Sequence, residues 1–201
     1  GGGGSGQHRR SAAVSSPAPF WNLPNSLTVL RILCVPVMVV LLWDMPGPTE
    51  SLLAFWIFIG AMITDVIDGY LARKWNQVSP LGAYLDPMAD KLMVTTVLVM
   101  MVPLGWVPAW LCALLLCREI AITGLRGIAS NEGMVISASA MGKVTTAYQS
   151  TALGFILWQT HTLDVRPWAA GITLLYISTA VSLFSAAEYF VGFVRQSRKT
   201  A

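Results

Sequence analysis

Four aspartates lie close together in the chain: Asp65 and Asp68, three residues apart, and Asp86 and Asp90, four apart. On an α-helix either spacing puts a pair on one face, with Cβ atoms about 5–6 Å apart. Carboxylates offer only oxygen, the donor that hard divalent cations such as Mg2+ and Mn2+ prefer. Two such ions would set four positive charges against four negative ones, and paired cations recur where phosphoryl oxygens are clamped for displacement. A lone aspartate in an apolar helix can simply pair with a basic residue, and Arg73, Lys74 and Lys91 offset part of the charge. Four at these spacings, with Gly69 and Gly82 interleaved, point to a two-metal phosphate site instead. The glycines remove side-chain bulk, which suits a ligand close to the backbone or a tight helix–helix contact.

The segments on either side of these residues are suited to lipid. Residues 51–63 and 92–117 contain no charged side chain. Across the 201 residues 55% are hydrophobic and 11% charged, against roughly 25% charged in soluble domains. The chain reads as an all-α integral membrane protein. A helix crossing the hydrocarbon layer needs ~20 mostly apolar residues, and six candidates occur. They run from about 27 to 43, with Asn25 or Ser26 as N-cap, from 51 to about 73, and from the second aspartate pair to about 101. The others run from about 108 to 128, 139 to 159 and 167 to 193. The stretch "VPLGWVP" breaks the third from the fourth with two prolines and a glycine.

The clusters of lysine and arginine fall on one side of this arrangement, with only Arg166 in a turn on the other: Arg9 and Arg10 before the first span, Arg73 and Lys74 after the second, and Arg126 and Lys143 between the fourth and fifth. Arg195, Arg198 and Lys199 follow the sixth. The positive-inside bias then makes both termini cytoplasmic. The second helix would close, and the third open, on that side, so adjacent antiparallel helices would present the two aspartate pairs at one depth. Residues 1–19, opening with "GGGGSG", read as a linker and disordered tail, residues 20–195 as the transmembrane catalytic domain, and 196–201 as a cytoplasmic tail. A net charge of +3 without a basic block gives no reason to expect nucleic acid. Cys34, Cys112 and Cys117 lie in apolar runs without metal or disulfide spacing and read as buried free thiols.

Written as D-x2-D-G-x2-A-R-x8-G-x3-D-x3-D, the acidic stretch is filled by Asp65, Asp68, Gly69, Ala72, Arg73, Gly82, Asp86 and Asp90. It resembles the signature of the CDP-alcohol phosphatidyltransferases at every position. "NLPNSLTVLRI", "CREIAITGLRGIAS" and "ASAMGKVTTAYQ" further resemble the phosphatidylglycerophosphate synthase branch of that family. The resemblance implies a six-helix membrane enzyme, usually a homodimer, which binds two divalent metals and displaces CMP from a CDP-linked lipid with an alcohol. It implies Asp65, Asp68 and Asp86 as metal ligands, and Asp90 as general base near the metals. Asn25, Thr28, Arg31, Gly69, Ala72, Arg73 and Gly82 would line the pocket for the CDP-lipid.

The implied reaction joins CDP-diacylglycerol to glycerol 3-phosphate, whose own phosphate needs basic partners. Arg118 and Arg126, eight apart on one helix, and Lys143 on the next are available, although Arg126 and Lys143 also serve as topology residues. Glu119 could orient either arginine. A relative using inositol phosphate or phosphatidylglycerol as acceptor would share every aspartate. An intramembrane prenyltransferase would need more helices and another aspartate spacing. A divalent-cation transporter would need polar residues continuing across the membrane, where the outer halves of these helices offer only Ser, Thr and Gly. The expected setting is a bacterial inner membrane with the site facing the cytoplasm.

Overall fold

The computed structural model describes residues 23–75, 80–131, 140–158 and 167–200, and among them the chain forms six α-helices and no strand. They are α1 (Leu23–Leu41), α2 (Pro48–Trp75), α3 (Pro80–Met100), α4 (Ala109–Asn131), α5 (Ala140–Leu157) and α6 (Pro167–Thr200). Proline opens α2, α3 and α6, at a position where its missing N–H costs no helical hydrogen bond. Pro108 precedes α4, and its carbonyl accepts the N–H groups of Leu111 (3.0 Å) and Cys112 (3.2 Å). The expected break after α3 is a turn whose bonds include Gly105 N–H to Val102 O and Trp106 N–H to Met101 O, both 3.0 Å, and Val107 N–H to Met101 O at 3.3 Å. Gly105 takes φ 71° there, the left-handed conformation that glycine adopts without strain in this kind of helix stop.

Three expectations need correcting. Asn25 and Ser26 lie inside α1, which begins at Leu23, so neither is its cap. Asp90 does not open α3: Pro80 starts the helix, and good helix formers such as Leu81, Ala83, Leu85 and Ala89 extend it through ten residues before Asp90. Third, α1 packs along both α2 and α3, which among the described residues meet each other over a shorter stretch. On α1, Thr28, Arg31 and Met38 are buried, as is Leu42 just beyond its end. The remaining pairs are α5 with α6 and α4 with α6. Of the cysteines only Cys112 is buried, Cys117 being exposed on the outer face of α4.

The core gathers Met38, Phe58, Met93, Leu98, Leu111, Leu153, Ile156 and Leu175 from all six helices. Large apolar side chains also point outward, among them Leu33, Val40, Trp56, Val66, Ile120 and Phe184. A soluble monomer rarely exposes so much apolar surface, whereas lipid solvates it. By length and composition, Pro48–Ile67 of α2 and Pro167–Ser197 of α6 can each cross a membrane, and α1 holds a shorter apolar stretch, Ser26–Leu41.

Aromatic side chains mark one end of the bundle. The Trp168 indole N–H donates to Trp106 O at 3.0 Å, Phe55 and Trp158 rings lie 5.6 Å apart, and Trp110 meets Tyr176 at 5.8 Å. Such rings favour a membrane–water boundary.

The α5–α6 contact is close enough to exclude a methyl group. A Cβ on Gly171 would lie 2.7 Å from Ile156 Cγ1 and 2.9 Å from Ala152 O. Gly171→Ala is therefore expected to destabilise the detergent-solubilised protein by about 1–3 kcal/mol through overpacking. Gly60→Ala, where nothing lies within 4 Å, should be neutral or stabilising. Thermal unfolding of the two variants side by side checks the contrast.

Candidate active site

Away from the aromatic cluster, α1 supplies Arg31 and α2 supplies Asp65. Arg31 Nη1 lies 2.7 Å from Asp65 Oδ1, with the arginine side chain 1% exposed and the aspartate 36%. A guanidinium buried that deeply requires a counter-charge, since an unpaired buried ion destabilises strongly. Arg31 therefore fixes one carboxylate oxygen of Asp65.

Asp90, from α3, lies within electrostatic reach of Asp65, Arg31, Lys91 and Glu119. The fold thus unites the first aspartate of one pair with the last of the other, 25 residues apart in sequence. Asp90 also lines a cavity of about 70 Å³ together with Lys91, Thr95, Arg118, Glu119, Thr146, Gln149 and Ser182. A single water needs ~10–15 Å³ by such a measure, so the space suits a small polar ligand.

Beside the cavity the charges are paired. Lys91 Nζ lies 2.7 Å from Glu119 Oε1 and donates to Thr123 Oγ1 at 2.9 Å. Arg118 Nη1 donates to Glu119 Oε2 at 2.9 Å, and its Nε reaches Ser182 O on α6 at 3.3 Å. Arg118 and Arg126 share a helix but not a task in the structure, for the Arg126 guanidinium stands 5.8 Å over the Tyr189 ring, a cation–π distance. Arg118 alone of the two lines the cavity.

Thr28, one turn before Arg31, is fully buried. Asn25, Asp68, Gly69, Ala72, Arg73, Gly82, Asp86 and Lys143 fall within α1, α2, α3 and α5, but their side-chain surroundings lie outside the described residues. Thr146, Gln149 and Ser182 line the cavity without having been expected from the sequence. A signal existed: Thr145, Thr146 and Gln149 interrupt an apolar helix at three- and four-residue spacing, and Ser178, Ser182 and Ser185 form a buried polar row on α6.

The donor set suits a hard divalent cation. Among the described residues no three ligands gather, but Asp65 and Asp90 share one field. Asp68 and Asp86 lie about one turn from them on the same helices. All four offer only oxygen, the chemistry that Mg2+ and Mn2+ select.

The chain is similar in sequence to known proteins. A CDP-alcohol phosphatidyltransferase family model matches residues 21–184. The chain is 33% identical over 182 residues to the CDP-diacylglycerol–glycerol-3-phosphate 3-phosphatidyltransferase of Bacillus subtilis (strain 168), covering 85% of this chain and 94% of that one. It is 34% identical over 175 residues to the proteins of the same name from Escherichia coli (strain K12) and Salmonella choleraesuis (strain SC-B67), covering 84% of this chain and 93% of each relative. With its acidic signature carried on α2 and α3 and a family match running from the start of α1 into α6, the chain belongs to the CDP-alcohol phosphatidyltransferase family.

Proposed function

We propose that this enzyme transfers the phosphatidyl group of CDP-diacylglycerol to sn-glycerol 3-phosphate, giving phosphatidylglycerophosphate and CMP. The observation that carries the reading is the meeting of Asp90 with Arg118 around one small polar cavity, beside the Arg31–Asp65 pair. That cavity matches a small, anionic, hydroxyl-bearing acceptor better than inositol phosphate or a second phospholipid. The relatives named for this reaction align over most of the chain.

In this reading the acceptor's phosphate is drawn to Arg118, with Lys143 and Arg126 on the approach. Its hydroxyl then lies towards Asp90, which takes the proton as the oxygen attacks the phosphorus bearing diacylglycerol. A P–O bond to the acceptor forms, the P–O bond to CMP breaks, and the proton rests on the Asp90 carboxylate. General-base assistance of this kind contributes roughly 10²–10⁴-fold. Arg31 holds Asp65 in place, and Asn25, Thr28, Gly69, Ala72, Arg73 and Gly82 line the path of the CDP-lipid. Asp65, Asp68, Asp86 and Asp90 would hold two Mg2+ or Mn2+ ions, which would neutralise the diphosphate and the charge developing on departing CMP.

The outward apolar surface and the aromatic end support six spans, with both termini and the site on the cytoplasmic side of a bacterial inner membrane. As in the family generally, the working unit would be a homodimer. Purified protein in CDP-diacylglycerol micelles should release CMP with glycerol 3-phosphate and far less with inositol phosphate or phosphatidylglycerol. Release without that preference would overturn the acceptor assignment. Arg118→Met should raise KM for glycerol 3-phosphate by at least tenfold, the scale of one lost charged hydrogen bond, while leaving KM for the lipid nearly unchanged.

A further inference from the structure

We propose that Glu119 is a positioning residue for the acceptor anion: its carboxylate holds Lys91 and Arg118 in one fixed arrangement on the cavity wall. The inference rests on the acceptor reading above and deepens it. Each carboxylate oxygen takes a different cation, Oε1 facing Lys91 at 2.7 Å and Oε2 facing Arg118 at 2.9 Å. Further contacts fix the same two side chains. Thr123, one turn beyond Glu119 on α4, accepts from Lys91 at 2.9 Å. Ser182 O on α6 accepts from Arg118 Nε at 3.3 Å. The carboxylate thereby joins α3 to α4, and Arg118 carries the link on to α6; Asp90, adjacent to Lys91 in sequence, lines the same cavity.

A guanidinium has five N–H donors, and these contacts occupy two of Arg118's. The others are held in a set orientation before any ligand arrives. Lysine and arginine each lose considerable rotamer freedom when fixed, so ordering them in advance strengthens anion binding. Long-range charge acts in the opposite direction, because a carboxylate beside an anion site repels the anion. The two effects therefore predict opposite signs on removal of Glu119. Stability is a poor guide to this role, since Lys91 and Glu119 are 41% and 37% exposed and such pairs contribute little to folding.

The test is Glu119→Gln and Glu119→Asp in the full-length enzyme, assayed by CMP release with glycerol 3-phosphate and CDP-diacylglycerol varied in turn. Positioning predicts that Glu119→Gln raises KM for glycerol 3-phosphate about tenfold. KM for CDP-diacylglycerol and the melting temperature should stay near wild type, and Glu119→Asp should recover part of the loss. A lower KM for glycerol 3-phosphate, or an equal rise for both substrates, overturns the proposal and leaves the acceptor assignment standing. Wild-type enzyme that forms no product from glycerol 3-phosphate overturns both.

Discussion

Asp90→Asn is expected to bring CMP release close to background while the protein stays folded. The amide nearly matches the carboxylate in shape but cannot take a proton from the attacking hydroxyl. Loss of the base alone accounts for roughly 10²–10⁴-fold, and loss of a charged oxygen from the cation site would add to it. Asp90 is partly exposed to its cavity, so the substitution does not empty the core. A melting temperature within a few degrees of wild type, with wild-type retention of CDP-diacylglycerol, would place the loss in the chemical step. A variant that turned over at the wild-type rate would remove Asp90 from the role of base.

Chelation is expected to have an effect of similar size. EDTA should abolish CMP release, and added Mg2+ or Mn2+ in excess should restore it. The physical reason lies in the charge balance: Asp65 and Asp90 share one field with Asp68 and Asp86 about one turn away, and the only cation bonded to Asp65 among the described residues is Arg31. A CDP-lipid diphosphate adds further negative charge to that region. Without divalent cations the donor should bind poorly, so lipid binding should fall along with turnover. Full activity in the presence of chelator would show that Arg31 and the α4 cations suffice, and would overturn the metal reading.

The helices were legible because each consists of a long apolar run ended by a physical stop. "VPLGWVP" gave the break between α3 and α4, and the Gly105 turn realises it. The starts were less legible. Leu23 and Pro24 carry α1 back past the residues that resembled a cap, and Pro80 begins α3 ten residues before Asp90. The acidic signature was readable because its spacing lies within single helices. That α1 packs along both α2 and α3 was not readable, because it depends on the burial of Thr28, Arg31 and Met38 and not on either neighbour's sequence.

The same limit governs the site. Arg31 and Asp65 are 34 residues apart, Lys91 and Glu119 are 28 apart, and Arg118 and Ser182 are 64 apart. Spacing arguments reach one helix face and stop there. They placed Arg118 and Arg126 together, whereas the fold gives Arg118 to the cavity and Arg126 to Tyr189. Thr146 and Gln149 went unassigned because polar residues on one face of an apolar helix point to no particular ligand until the facing helix is known.

The place of Asp90 midway along α3 has a consequence for how two immiscible substrates meet. Ten residues on either side put it about 15 Å from each helix end, a depth that the proposed six spans would place beneath the headgroups of a hydrocarbon layer ~30 Å thick. On the proposed reading the water-soluble acceptor sinks through a hydrated shaft, and the oily donor bends its pyrophosphate inward from the leaflet. The enzyme then acts as a phase-transfer catalyst whose reaction plane belongs to neither bulk phase.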